Sequence, residues 1–210
     1  MASVWHRGPT TAGAAAAFVG GRCQTDPVTT TTTYIAFLRA VNVGGRTVKM
    51  ERLRALFGEL GLGDVRSYIQ SGNVFFTTDE PDRAALAGRI EQHLAEALGY
   101  PVPVMLRTVE EVEALLAAEP FAGIEVTPDI RLVVNFLSEP LPADFPVPYT
   151  SPKGDYEVIG ADDGTAYVVV HLRDGRWNTP GNLFGRSYRG SATARFLHTT
   201  VKILAAARRS

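Results

Sequence analysis

The pattern of apolar and polar positions changes along the first third of the chain, from an unbroken apolar run to apolar residues at every third or fourth position. An unbroken apolar run from Tyr34 to Leu38 follows β-favouring threonines and predicts a buried central strand. After the Gly44-Gly45 pair, apolar residues recur at spacings of three and four, which predicts one face of a helix. Gly61 stands where a left-handed C-terminal cap would end this helix. The apolar face comprises Met50, Leu53, Leu56, Phe57 and Leu60.

Two short strand patterns follow the first helix, at Val65 to Ile69 and at Val74 to Thr77. Gly72 and Asn73 between them can adopt the positive φ values of a tight hairpin. A single strand that carries a glycine bulge would produce the same pattern. The sequence leaves both interpretations open.

A second helix and a closing strand complete the first half of the chain. The segment from Asp79 to Asp82 has helix-start chemistry, and Gly99 can end the helix. Val102 to Leu106 predicts a strand, and the prolines at 101 and 103 place it at a sheet edge. The order β, α, β, β, α, β is that of ferredoxin-like units. The stripe of the second helix is Leu86, Ile90, Leu94 and Leu98.

The second half predicts a further layer of helices and strands. Thr108 and Glu111 form a capping box at the start of a helix that Pro120 should end. No sequence motif is repeated between the halves, although the second half loosely echoes the first. The other elements are a strand at Arg131 to Leu137, an irregular proline-rich connection at Glu139 to Pro152, a hairpin of Tyr156 to Ile159 with Thr165 to Leu172, and a helix from Thr199 to Arg208.

The predicted fold class is α+β, with a ferredoxin-like βαββαβ unit packed on a second α+β subdomain. The first unit spans residues 33–107 and the second spans residues 108–210, and together they form one compact unit. Residues 1–32 are predicted to be a flexible extension, because an alanine-rich stretch leads into a polar threonine tract; an export or targeting segment is the alternative. No run of about 18 apolar residues occurs, so no membrane span is predicted.

The amino-acid composition limits the cellular location and the kinds of functional site that the sequence predicts. Of the 210 residues, 45% are hydrophobic, which is enough to build a substantial core. Cys23 is the only cysteine, which excludes an intramolecular disulfide and favours a cytoplasmic location. The four histidines are scattered, and neither a phosphate-binding glycine motif nor a serine-hydrolase motif occurs. The sequence therefore predicts no metal site and no cofactor, and it supports no particular reaction.

The net charge of −1 conceals a strong segregation of charge. Residues 110–170 contain twelve acidic and two basic side chains, whereas residues 171–210 contain eight basic and one acidic. An asymmetry of this kind is typical of an anion-binding face. The alternative is that the two segments neutralise each other in the folded protein.

Two polar clusters beside glycines are candidate ligand sites. In the first, a strand enters a glycine turn before a helix, so backbone amides and an arginine can face an anion. The second lies in the predicted hairpin turn, and the sequence leaves open whether it meets the first. For both, the alternative is a turn whose side chains bond only their own backbone. The clusters are Arg39, Asn42, Gly44 and Gly45, and Gln70, Ser71 and Asn73.

Basic and aromatic residues are interleaved near the C-terminus. Arginine forks and aromatic faces suit phosphate groups and single-stranded nucleic acid. The alternative is a basic edge that docks on the acidic middle segment. We take Arg186, Arg195 and Lys202 as the candidate ligand contacts. The full set is His171, Arg173, Arg176, Arg186, Arg189, Arg195, His198 and Lys202, with Trp177, Phe184 and Tyr188.

The two glycine-marked clusters also carry a family resemblance. Leu38-Arg39 with Asn42 to Gly45, followed by Tyr68 to Val74, resembles the bacterial family catalogued as domain of unknown function 1697. The resemblance extends from about Thr33 to about Ala207. His198 stands where the family has asparagine, and Leu197 where it has tryptophan. The family has no established activity, so the resemblance implies an architecture and no reaction.

Three functions are consistent with these features. The first is a cytoplasmic ligand-binding protein or enzyme that holds a small anionic or nucleotide-like molecule. The second is a nucleic-acid-binding module that uses the C-terminal arginines and aromatic rings, and the third is a scaffold without a ligand. Phosphate-backbone binding weakens steeply with salt, whereas a pocket depends on salt less. The sequence indicates no oligomeric state.

Overall fold

The structure of the chain is a computed structural model. It describes residues 31–45, 47–177, 183–185 and 187–209. Nearly all of the predicted N-terminal extension lies outside the described residues, and so does Arg186.

The first half forms a four-stranded antiparallel sheet with two helices. The strand order is β2-β3-β1-β4, so β3 lies between the parallel strands β1 and β2. This pairing follows the split βαβ arrangement that the order of elements predicts. The elements are β1 Thr32–Leu38, α1 Met50–Glu59, β2 Gly63–Ser67, β3 Asn73–Thr78, α2 Arg83–Leu98 and β4 Val104–Thr108.

Local sequence signals account for most of these boundaries. Gly61 follows α1 with a φ of 76°, and Gly99 caps α2 with a φ of 78°. The Asp82 side chain accepts hydrogen bonds from two amides of the first turn of α2. The antiparallel pairing of β2 with β3 confirms the hairpin and rules out the single bulged strand. The predicted bounds of β2 were wrong at both ends, because Ile69 has a φ of 50° and belongs to the turn.

The second half forms a larger antiparallel sheet. Its order is β10-β5-β8-β7-β6, and β9 pairs with the end of β8. The capping box at Thr108 is confirmed, and α4 begins two residues before the predicted Thr199. The sequence missed β10 because this strand is short, rich in small residues and carries an arginine. The elements are α3 Val109–Ala117, β5 Ile130–Leu137, β6 Tyr149–Thr150, β7 Tyr156–Ala161, β8 Thr165–Arg173, β9 Arg176–Trp177, β10 Ala192–Phe196 and α4 Leu197–Ala207.

In the described part of the chain, the helices and sheets enclose three hydrophobic cores. One lies between the first sheet and helices α1 and α2, and a second lies between the two sheets together with α3 and α4. At the centre of the second core, the rings of Phe37 and Phe136 stack with their centroids 3.6 Å apart. The third core covers the far face of the second sheet, beneath the proline-rich connection. The two sheets therefore pack face to face through one shared core.

The second sheet repeats the arrangement of the first. The order β10-β5-β8-β7 corresponds to β4-β1-β3-β2, and α4 follows β10 directly, as α3 follows β4. The turns correspond as well, because Leu38 N donates to Gly72 O and Leu137 N donates to Gly164 O, both at 2.8 Å. Between β5 and β7, a helix-free connection that contains the short strand β6 stands where the first half has its first crossover helix. The repeat is thus structural, although the sequence shows no repeated motif.

In each half, an arginine from the other half donates hydrogen bonds to two backbone carbonyls. Arg195, on β10, donates to the carbonyls of Leu38 at 3.3 Å and Gly72 at 3.2 Å. Arg107, at the equivalent place on β4, donates to the carbonyl of Leu137 at 2.9 Å and to that of Gly164. The Arg195 guanidinium lies 5.7 Å from the Phe37 ring centroid, and the Arg107 guanidinium lies 6.0 Å from the Phe136 ring centroid.

The hairpin turn leaves no room for a side chain at position 72. Gly72 has a φ of 70°, and a Cβ there would lie 3.0 Å from Leu38 Cβ and 3.2 Å from Val41 Cβ. We expect Gly72→Ala to lower the free energy of unfolding by about 2–4 kcal/mol, measured by urea denaturation. Gly44→Ala is the matched control, because Gly44 has a φ of 66° but no neighbour within 4 Å, and should cost about 1 kcal/mol. Equal losses in the two variants would contradict the close approach.

Candidate anion-binding site

The two polar clusters predicted from the sequence meet in space. Asn42 Nδ2 donates to the carbonyl of Gln70 at 2.7 Å, which joins the loop after β1 to the hairpin turn. Arg195 Nε donates to Asn73 Oδ1 at 2.6 Å, and Arg195 Nη2 donates to the Ser71 carbonyl at 2.8 Å. The question that the sequence left open is therefore answered, and Arg195 of the C-terminal set belongs to the same cluster.

Several of these side chains are occupied in holding the loops. Asn42 Oδ1 accepts a hydrogen bond from Val48 N at 2.6 Å, and the buried Asn73 donates to Tyr68 O at 3.2 Å and to Ser71 Oγ at 3.1 Å. Arg39, Gly44 and Gly45 are exposed on the loop after β1, Gln70 is exposed in the hairpin turn, and Lys202 is exposed on α4. A ligand-binding role for these residues stays a prediction.

The basic and aromatic C-terminal residues do not form a single face. Phe184 is buried in the third core, and Tyr188 packs partly against it. Arg189 lies beside β4 and α2, whereas Trp177 lies at the end of the second sheet. Only part of the predicted set is therefore available to one ligand.

A pocket of about 520 Å³ opens beside β10, and we call it the β10 pocket. Its floor is the outer face of the second sheet, formed by Val133, Val170 and Ala194. Of the residues predicted as ligand contacts, Ser71 and Arg195 line it. The remaining lining residues are Ile69, Arg131, Trp177, Phe196 and Thr199.

Arg195 supplies a fixed positive charge at this pocket. Its side chain is 8% exposed, and all three guanidinium nitrogens donate to protein oxygens, which include Thr193 Oγ1 at 3.0 Å and Ala194 O at 2.8 Å. Burial lowers the pKa of Arg195 to about 10, so the group stays protonated at neutral pH. No carboxylate among the described residues pairs with it. In the described part of the chain, the positive charge is thus held by carbonyl, amide and hydroxyl oxygens.

Arg131 supplies a second charge that is less tightly held. Its guanidinium carbon lies 4.3 Å from the centroid of the Trp177 ring. Its Nη1 donates to two backbone carbonyls at long range, 3.3 Å to Ile130 and 3.5 Å to Pro128. Within the described ranges it too has no ion-pair partner. Arg131 therefore retains N–H donors that an anion can use.

The structural repeat allows Arg195 to be compared with Arg107, the arginine at the equivalent position in the first half. Arg107 lines a second pocket of about 750 Å³ at the start of α3, together with Glu111, Asp162 and Asp163. Glu111 follows Arg107 by four residues, as Thr199 follows Arg195. Burial lowers the pKa of Arg107, while the charges of Glu111 and Asp162 act in the opposite direction. In this α3 pocket Glu111 pairs with Arg83 at 2.7 Å, and three carboxylates accompany the two arginines, Arg83 and Arg107. Among the described residues, the β10 pocket is lined by two arginines and no acidic residue.

Sequence reasoning did not single out Arg131 as a ligand contact. It lies in the acidic segment, 60 positions or more from Ser71 and Arg195, and only the strand pairing brings these residues together. Its alternation with Val133 along β5, which places both side chains on one face, was the available signal.

The fold and the pocket define an α+β protein with two facing antiparallel sheets and, in the described part of the chain, four helices. The chain belongs to the family described as "Protein of unknown function (DUF1697)", whose sequence profile matches residues 31–167. This confirms the family resemblance. No curated protein matches the chain.

A solved structure shares the fold. It is described as conserved bacterial protein SP0830 from Streptococcus pneumoniae, with 22% sequence identity and a TM-score of 0.58. The match covers 85% of this chain and all of that one. None of the helices in the described ranges has the length and apolar character needed to cross a membrane. The same ranges contain no group of three or more histidine, cysteine or acidic residues placed to hold a metal ion.

Proposed function

We propose that this protein binds a small organic anion in the β10 pocket. The observation that carries the proposal is the pair of arginines, Arg131 and Arg195, which line one pocket without a carboxylate partner in the described chain. A buried positive charge without a counter-ion attracts an anion more strongly than an exposed one, because the surroundings screen it less.

The two arginines have different roles in this proposal. Arg195 cannot turn towards a ligand without breaking its bonds to the hairpin turn, so it contributes through its field. Arg131 can donate directly, and a charge-assisted hydrogen bond from a guanidinium to a carboxylate or phosphate is strong and directional. The hydroxyls of Ser71 and Thr199 supply further polar contacts.

The rest of the pocket suits an apolar body. The floor consists of two valines and an alanine, and Ile69 stands at the wall. A volume of about 520 Å³ lies in the range of pockets that enclose a small ligand. The cytoplasmic location favoured by the single cysteine would supply many such anions.

Removal of the Arg131 side chain tests the proposal. A thermal-shift screen of carboxylates and phosphate esters with apolar bodies provides the ligand, and calorimetric titration gives its affinity. We expect Arg131→Ala to weaken binding about 10- to 100-fold, because a charge-assisted hydrogen bond is lost. The matched control is Arg89→Ala, which removes an exposed arginine from α2 and should leave the affinity unchanged.

Two results would contradict the proposal. One is equal affinity in the wild type and Arg131→Ala, and the other is equal binding of a neutral analogue. Short oligonucleotides titrated at low and moderate salt test the nucleic-acid alternative. Binding of oligonucleotides alone, lost steeply as salt rises, would favour that alternative. The absence of any ligand would favour a scaffold.

A further inference from the structure

We infer that the ligand of the β10 pocket is a flat aromatic ring that carries one anionic group. This inference rests on the proposed function and specifies the shape of the apolar body. It is carried by two exposed aromatic side chains at the pocket, Trp177 and Phe196, and by the short side chains of the sheet face that forms its floor.

Trp177 presents a large ring that the protein has not buried. Its side chain is 36% exposed although indole is the largest apolar group in the chain. The guanidinium of Arg131 lies over the ring, 4.3 Å from its centroid, which is a cation–π contact. A planar ligand can stack on the indole face that the guanidinium leaves free.

Phe196, at the end of β10, is a second exposed aromatic side chain that stacks on a neighbour. It is 45% exposed, and its ring stacks on that of His198 with centroids 5.6 Å apart and planes 14° apart. Each aromatic ring of the pocket is therefore held by one stacking partner. Exposed aromatic side chains that are positioned in this way are typical of sites that bind planar groups.

The floor is formed by short side chains of one sheet face. Val133, Val170 and Ala194 come from three neighbouring strands and point to one face of the sheet, with short side chains only. A rigid ring covers such a surface without loss of internal freedom, whereas a flexible chain loses rotamer entropy when it is bound. The lining therefore favours a ring over an alkyl chain of equal area.

The anionic group is expected near the polar lining residues, which are Arg131, Ser71 and Thr199 in the first turn of α4. No side chain caps the start of α4, whose dipole adds a positive potential to that of Arg195. A carboxylate and a phosphate ester share the chemistry that these groups recognise. The experiment below distinguishes the two.

Calorimetric titration of the full chain with simple probes tests the inference. The probes are 2-naphthoate, 1-naphthyl phosphate, octanoate, 2-naphthol and inorganic phosphate. We expect a naphthyl anion to bind at least tenfold more tightly than octanoate, 2-naphthol or inorganic phosphate. The tighter of the two naphthyl anions identifies the anionic group.

Trp177→Leu separates stacking from simple burial, because leucine keeps an apolar side chain and removes the ring. We expect this variant to weaken naphthyl-anion binding about tenfold and to leave octanoate binding unchanged. In Trp5→Phe, Trp177 is the only tryptophan left, so a change of its fluorescence on binding reports the contact directly. This variant should bind as the wild type does.

The outcomes distinguish the inference from the proposed function. If octanoate binds as tightly as the naphthyl anions and Trp177→Leu has no effect, the inference of an aromatic ligand is wrong. The proposed binding of an organic anion would still stand. Inorganic phosphate that binds as tightly as the naphthyl anions would also contradict the inference of an aromatic ligand. No binding of any probe would overturn both.

Discussion

Replacing Arg195 with methionine should lower the free energy of unfolding by about 3–5 kcal/mol. The substitution keeps an unbranched side chain and removes every donor. It leaves Asn73 Oδ1, which is buried, without the hydrogen bond at 2.6 Å, and it also removes the bonds to the Ser71 and Gly72 carbonyls. A buried acceptor that loses its donor costs about 1–3 kcal/mol. Because these acceptors all belong to the other half of the molecule, the loss also loosens the contact between the halves.

Arg131→Met is the matched control for this prediction. It removes the same residue type from the same pocket, but the hydrogen bonds of Arg131 to the protein are long, at 3.3 and 3.5 Å, and its contact with Trp177 is partly exposed. We expect a loss of about 1 kcal/mol or less. Chemical denaturation of both variants gives the comparison, and equal losses would show that Arg195 does not lock the two halves. Arg195→Lys should resemble Arg195→Met, because an ammonium group cannot reproduce the fork of bonds.

The first half of the chain could be read from the sequence because its signals are local. The stripe of α2, the cap at Asp82 and the glycine after the helix all act within a few residues, and all are confirmed. The hairpin at Gly72 followed from its turn residues, although two interpretations remained until the pairing of β2 with β3 was known.

The second half could be read only in part because its elements depend on distant contacts. The strand β10 has too few large apolar residues to be recognised, and its place is fixed by pairing with β5 and by Arg195. Arg195 and its acceptor Leu38 are 157 positions apart. No local pattern predicts that contact. The structural repeat was likewise not visible as a motif, because it consists of strand order and long-range contacts.

The charge segregation found in the sequence is resolved partly within the fold. An ion pair joins Arg208 to Glu113, and His171 bonds Glu157 at 2.8 Å, so the basic and acidic segments do contact each other. Arg131 and Arg195 remain outside such pairs in the described part of the chain. Charge counting identified an imbalance, and the structure shows where two of the unpaired charges lie.

The central claim is that the β10 pocket binds anions because no carboxylate among the described residues lines it, whereas Glu111 lines its structural counterpart. Thr199→Glu supplies that carboxylate at the position equivalent to Glu111. Thr199 is the third residue of α4, where glutamate is favourable for a helix, so the fold should be retained. A negative charge about 5 Å from a bound anion opposes it by about 3 kcal/mol at an effective dielectric constant of about 20. We therefore expect the affinity for an organic anion to fall about 100-fold or more.

Thr199→Gln is the matched control, because it has the same size and no charge. The most direct measurement is calorimetric titration of both variants and the wild type with 2-naphthoate, accompanied by urea denaturation of each. We predict that Thr199→Gln binds within a few-fold of the wild type, that Thr199→Glu does not bind measurably, and that all three proteins are similarly stable. Binding by Thr199→Glu as tight as that by Thr199→Gln would contradict the account.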